Sequence, residues 1–113
     1  MTPSENQIAL ARRELSQAKV FTSAKLASRA KYHIDHAGHH TARIPNLTRK
    51  ADEIVKALNR ELSVAGVLLT PIRNIKAMAH LRAAQELIDA LVEEMESPSP
   101  EESPLPGKAD SAS

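Results

Sequence analysis

The sequence predicts an all-α fold: a small antiparallel three-helix bundle over residues 1–96, followed by a disordered acidic Ser/Pro-rich C-terminal tail over residues 97–113. Three observations carry this reading. The composition favours Ala, Leu, Arg, Lys and Glu, and its 3 glycines and 2% aromatics (Phe21 and Tyr32) leave an aliphatic, helix-forming chain. Apolar residues recur at three- and four-residue spacing in three long segments. From Ser97 the run Ser-Pro-Ser-Pro-Glu-Glu-Ser-Pro-Leu-Pro-Gly cannot continue a helix and has little to bury.

The first helix is expected over residues 4–37. Thr2-Pro3-Ser4-Glu5 is a start signal, because Thr or Ser accepts free amide hydrogens and Pro fits the first turn. Ile8, Ala11, Leu15 and Ala18 form its buried stripe. The stripe weakens into Thr22, Lys25, Leu26 and Arg29, so a bend or break is expected near Thr22-Ser23. Gly38 is the expected stop, since glycine adopts the left-handed conformation that closes many helices.

His39 to Asn46 reads as a loop, with Pro45 disfavouring helix at Ile44. The second helix is expected over residues 47–65, capped by Asn46 or Thr48. Leu47, Ala51, Ile54, Leu58, Leu62 and Ala65 are its core face, and Gly66 lies near its end. Thr70-Pro71 opens the third helix over residues 71–96, which buries Ala77, Leu81, Ala84, Ile88, Leu91 and Met95. No internal repeat is read from these patterns.

The net charge of +1 conceals an asymmetry. Residues 1–82 hold 14 Lys/Arg and 6 Asp/Glu, whereas residues 83–113 hold 1 Lys and 8 Asp/Glu. A basic body points to a polyanion, either nucleic acid or an acidic protein surface, and the acidic tail is expected to compete for it. Removing residues 97–113 is therefore expected to strengthen binding. Cysteine is absent, which excludes disulfides and thiolate metal sites. Met1 to Gln7 is polar and the longest apolar run, Val64 to Leu69, is too short to span a bilayer, so a cytoplasmic protein without a membrane partner is expected. A domain this small gains burial by self-association, which keeps a homo-oligomer among the expectations.

Four constellations bear on function. Four of the five histidines fall between His33 and His40. On a continued helix His33, His36 and His40 share one face, where three imidazoles with Asp35 or water have the donor set for zinc, nickel or copper. With a helix ending at Gly38 they instead form a polar helix end that gains charge as pH falls. No cofactor is expected, and the metal site is an alternative reading.

The second is Arg73-Asn74-Ile75-Lys76-Ala77-Met78-Ala79-His80. It resembles the Arg-x(4–6)-His signature of the HEPN family of helical ribonucleases. The resemblance implies Arg73 on the scissile phosphate and His80 in proton transfer, each meeting its counterpart across a dimer. The third is Arg60 to Val67 followed by Thr70 to Lys76, which is similar to the turn and second helix of helix-turn-helix DNA-binding regulators. That resemblance implies Gly66 in the turn, Val67, Ile72 and Ile75 buried, and Arg73, Asn74 and Lys76 facing the major groove.

The fourth is the spread of cations. Arg12, Arg13, Lys19, Lys25, Arg29, Lys31, Arg43, Arg49, Lys50, Arg73 and Lys76 can neutralise phosphates without reading sequence. Two aromatics leave little for base stacking, so duplex backbone contact is favoured over single-strand binding. Glycine-rich phosphate loops and nucleophile elbows are missing. The expectation is a non-enzymatic accessory or regulatory protein whose basic body contacts nucleic acid. The alternative is a protein–protein interaction module, an adaptor or inhibitor acting through a helix face.

Overall fold

The computed structural model describes residues 2–97. The expected disordered tail lies outside the described residues apart from Ser97. All regular structure described is helical, in four helices: α1 (Pro3–Ser23), α2 (Ala27–Ala42), α3 (Arg49–Val67) and α4 (Asn74–Glu96). The bundle therefore has four helices where the sequence predicts three.

The extra helix arises because residues 4–37 do not stay one helix. Helix α1 starts on a capping box: Thr2 Oγ1 accepts from the Glu5 N–H at 3.1 Å, and the Thr2 N–H donates to Glu5 Oε1 at 3.2 Å. The Thr2 backbone hydrogen bond is the main reason the Glu5 carboxyl lies below its ordinary pKa. The break comes at Ala24-Lys25-Leu26. Lys25 has a φ of 62°, its N–H donates to the Thr22 carbonyl at 3.0 Å, and the Leu26 N–H donates to the Phe21 carbonyl at 2.9 Å. This paired i→i−3 and i→i−5 bonding is a Schellman closure, with lysine in the left-handed position that glycine usually takes. The chain then reverses into α2.

Gly38 does not end the second helix. Helix α2 runs on to Ala42, and its interior carries Gly38 against α3, where a built Cβ would meet Asn59 Oδ1 at 3.5 Å. The single Thr41 hydroxyl proton is shared between the Gly38 carbonyl at 3.0 Å and Asn59 Oδ1 at 3.2 Å, which joins α2 to α3 at this level. The connection before α3 is consequently shorter than the expected loop. Thr48 caps α3, accepting from the Ala51 N–H at 3.1 Å. The Thr70-Pro71 signal opens a turn instead of a helix: the Arg73 N–H donates to the Thr70 carbonyl at 3.0 Å, and α4 begins at Asn74. Proline at the second position of a turn uses the same fixed φ that suits a helix start, so the signal fits both.

The helices form a ring in chain order, in which α1 packs on α2 and α4, and α3 packs on α2 and α4. Glu14 meets His33 and Gln7 meets His40, so α1 and α2 are antiparallel; Glu61 meets His80 and Lys50 meets Glu94, so α3 and α4 are too. The Asn74 amide donates to the Thr22 carbonyl at 3.2 Å and places the two hairpin bends at one end. The core holds Ile8, Leu15, Ile34, Ile44, Val55, Leu58, Leu62, Leu81, Ile88 and Leu91, with buried alanines at Ala11, Ala18, Ala30, Ala37, Ala51, Ala65, Ala77 and Ala84. So many small residues let the backbones approach closely, toward the short end of ordinary helix spacing. Of the expected core, Leu47, Ile54 and Met95 are only partly buried, at the margin of the cluster.

Candidate nucleic-acid interface

The histidines do not converge on a metal. His33 Nδ1 lies 2.7 Å from Glu14 Oε1, and its ring stacks on Phe21 with centroids 5.3 Å apart. His40 Nδ1 lies 3.0 Å from Gln7 Oε1 on α1. His36 packs on Tyr32 at 4.2 Å and on His39 at 5.8 Å between ring centroids. Two of the three proposed ligands thus have one ring nitrogen committed to α1. Among the described residues no group of three or more His, Cys, Asp or Glu is placed to hold a metal ion.

Arg73 and His80 serve different ends of a helical stretch. Arg73 is exposed at the start of α4, where it caps without a side-chain hydrogen bond. His80, two turns on, turns toward α3, with Nδ1 3.1 Å from both Glu61 oxygens. The helix-turn-helix expectation is overturned. Val67, Ile72 and Ile75, which that motif would bury, are 76%, 93% and 86% exposed. Helix α4 lies antiparallel along α3 instead of crossing it, so no separate recognition helix is presented.

The cations sort by position. Arg12 pairs with Asp89 at 2.6 Å, Lys31 with Asp35 at 3.2 Å and Lys50 with Glu94 at 3.8 Å. Arg13, Arg43 and Arg49 are exposed away from the bends. Lys19, Lys25, Arg29, Arg73 and Lys76 gather at the end formed by the two bends, together with Arg82, which sequence reasoning did not single out. Lys25 and Arg82 line one depression there with Asn74, Ile75 and Met78. None of these six cations is paired with a carboxylate among the described residues.

A sequence feature explains why. Residues 15–34 and 62–85 contain no Asp or Glu, and each segment includes one hairpin bend. Folding lays the two acid-free segments side by side. Glu5, Asp52, Glu53, Asp89, Glu93, Glu94 and Glu96 lie toward the opposite end, and Glu14, Asp35, Glu61 and Glu86 lie between. The bundle thus carries a charge contrast along its length that differs from the contrast between residues 1–82 and 83–113. Cations without nearby carboxylates sum their fields toward solvent, which raises the local concentration of polyanions.

The six side chains are exposed or half-buried. Arg29 is additionally steadied by Phe21, its guanidinium carbon lying 5.8 Å from the ring centroid. No helix among the described residues is long and apolar enough to cross a membrane. No protein-family model, curated protein or solved structure matches this chain.

Proposed function

We propose that this protein is a non-enzymatic accessory factor that binds nucleic acid through phosphates, using the basic end of its bundle. The observation that supports this reading is the acid-free pair of segments at residues 15–34 and 62–85, which leaves Lys19, Lys25, Arg29, Arg73, Lys76 and Arg82 at one end without a carboxylate partner among the described residues. Phosphate contact needs cations that are not already neutralised, and this end supplies them without base-reading groups. The test is equilibrium binding to duplex DNA and RNA across a salt series. Affinity is expected to fall steeply with salt, and the double reversal Lys25→Glu with Arg73→Glu to abolish binding. Arg49→Glu, at the other end, should have little effect. Salt-independent binding, or equal losses from both ends, would refute it.

A second reading has its own observation. Val67, Ile72 and Ile75 are large apolar side chains left in solvent at the same end. Exposed apolar side chains ringed by cations also suit an acidic protein partner with an apolar patch. Ile72→Ser with Ile75→Ser separates the two readings. It should leave nucleic-acid binding intact and abolish a protein complex recovered from the native host.

A further inference from the structure

The two hairpins are copies of one another, offset by 47 residues. Arg13-Glu14-Leu15-Ser16-Gln17-Ala18-Lys19-Val20 and Arg60-Glu61-Leu62-Ser63-Val64-Ala65-Gly66-Val67 agree at six of eight positions. Helix α2 starts at Ala27 and α4 at Asn74, again 47 apart. Every buried residue from Ile8 to Ala18 and from Ala30 to Ile44 maps onto a buried residue 47 positions on, as Leu15 onto Leu62, Ile34 onto Leu81 and Ile44 onto Leu91. The cross-hairpin pair repeats as well: Glu14–His33 at 2.7 Å in the first copy is Glu61–His80 at 3.1 Å in the second.

Outside that octapeptide the solvent-facing residues differ between the copies, and the repeat is carried by which positions are buried. Once burial is known, the match is continuous. It also gives the Glu–His pairs a common role. They join the two helices of each hairpin at the same level, so they are positioning residues of the repeat.

Exchanging α1 with α3 and α2 with α4 maps the ring of helix contacts onto itself. That is a half-turn about the long axis of the bundle, because α1 and α3 run in the same direction. Both bends therefore emerge at one end as equivalent tips. Arg29 and Lys76 are equivalent, each the third residue of its hairpin's second helix, and both are exposed. Helices α2 and α4 are diagonal in the ring, so at an interaxial spacing of about 8–10 Å their axes are about 11–14 Å apart.

The geometry points to a duplex as the occupant of this end, with Arg29 on the backbone of one strand and Lys76 on the other. The two strands of a duplex are related by local dyads perpendicular to its axis, and a half-turn axis ending in paired cations matches that symmetry. The separation of about 11–14 Å brackets the major groove of B-form DNA, about 12 Å wide, so the duplex is DNA. A single strand has no such dyad. This inference rests on the nucleic-acid reading above.

The test uses the full chain with Arg29→Ala, Lys76→Ala and the double variant, titrated with a duplex of random sequence and with one of its strands. Each single change removes one phosphate contact. On the duplex it should lower affinity about fivefold at 0.15 M salt and reduce the log–log salt slope by about 0.9. The double change should reach about 25-fold. Arg13→Ala with Arg60→Ala, an equivalent pair about 15 Å from the tips by helix rise, should change little. Equal losses from the two single variants, larger on duplex than on single strand, support the inference. Losses confined to one tip, or native affinity no greater for duplex than for strand, overturn it while leaving phosphate binding standing. Absence of any nucleic-acid binding by the native chain refutes the underlying reading instead.

Discussion

Gly38→Ala should stabilise the protein, and the sign of the effect tests how α2 is built. Glycine in a helix interior is worse than alanine by about 1 kcal/mol, through backbone entropy. Gly38 lies four residues before the end of α2, without a left-handed φ. A methyl there would meet Asn59 Oδ1 at 3.5 Å, an ordinary van der Waals distance, so no compensating clash is expected. A small perturbation of the Thr41–Asn59 hydrogen bond, 3.2 Å long, trims the gain. The net is about 0.5–1 kcal/mol of added stability. For a domain of this size that raises the thermal midpoint by about 2–8 °C. Urea denaturation followed by far-UV circular dichroism, with the slope m unchanged, measures it directly. Were Gly38 instead the left-handed stop that its sequence context suggests, alanine would cost about 1–2 kcal/mol. A lowered midpoint would therefore refute the continuous α2.

Thr22→Val should add about 1 kcal/mol in the same assay, because Thr22 Oγ1 is buried without a hydrogen-bond partner among the described residues and its equivalent in the second hairpin is Leu69. Leu58→Ala empties a fully buried site and should cost about 2–5 kcal/mol. Native protein should leave RNA intact, and His80→Ala should lower stability without changing that outcome; cleavage lost in His80→Ala would instead establish the ribonuclease reading. Zinc titration should give the same weak affinity for native protein and for His33→Ala/His36→Ala/His40→Ala, and a loss in the variant would revive the metal site. Glu5 contributes through its carboxylate, whose pKa is lowered by the Thr2 backbone hydrogen bond. Its contribution is present above the ordinary carboxylate range and lost as pH falls through the lowered value, so the protection of first-turn amides of α1, taken relative to their intrinsic exchange rate at each pH, should fall only on the acidic side of that range.

Much of the fold could be read because burial imposes a period. Ile8, Ala11, Leu15 and Ala18 on α1, Leu58, Leu62 and Ala65 on α3, and Ala77 through Leu91 on α4 all fall on expected core faces. The errors lie where one residue type serves two geometries. Lys25 closes α1 in a conformation normally flagged by glycine, so the reversal left no glycine signal. Gly38 sends that signal but acts as a spacer against Asn59. The helix-turn-helix resemblance implies that Ile72 and Ile75 are buried, yet they sit exposed on the turn and first helical turn at the end of the bundle. The basic end itself could not be read from net charge, because it depends on two segments 47 residues apart being brought together. The gap in acidic residues was visible in each segment, but its significance comes from their adjacency.

That adjacency also limits what the acidic tail can do. Helix α4 spans 22 residue steps from Asn74 to Glu96, about 33 Å at 1.5 Å each. Glu102 is six residues past Glu96, a contour of at most about 21 Å even fully extended. That contour is about 12 Å less than the length of α4, a shortfall greater than the Debye length of about 8 Å at physiological salt. Arg82, about 12 Å down the helix from Asn74, is the one cation of that end within reach. Asp110 has the contour to arrive at the tips, but Lys108 two residues earlier offsets its charge. Removing residues 98–113 should accordingly change duplex affinity less than about twofold in dilute solution, a smaller effect than charge balance alone implies. If the tail does compete for the basic end, it does so between molecules. Competition would then grow with protein concentration, and affinity measured against concentration for full-length and truncated chains distinguishes the two cases.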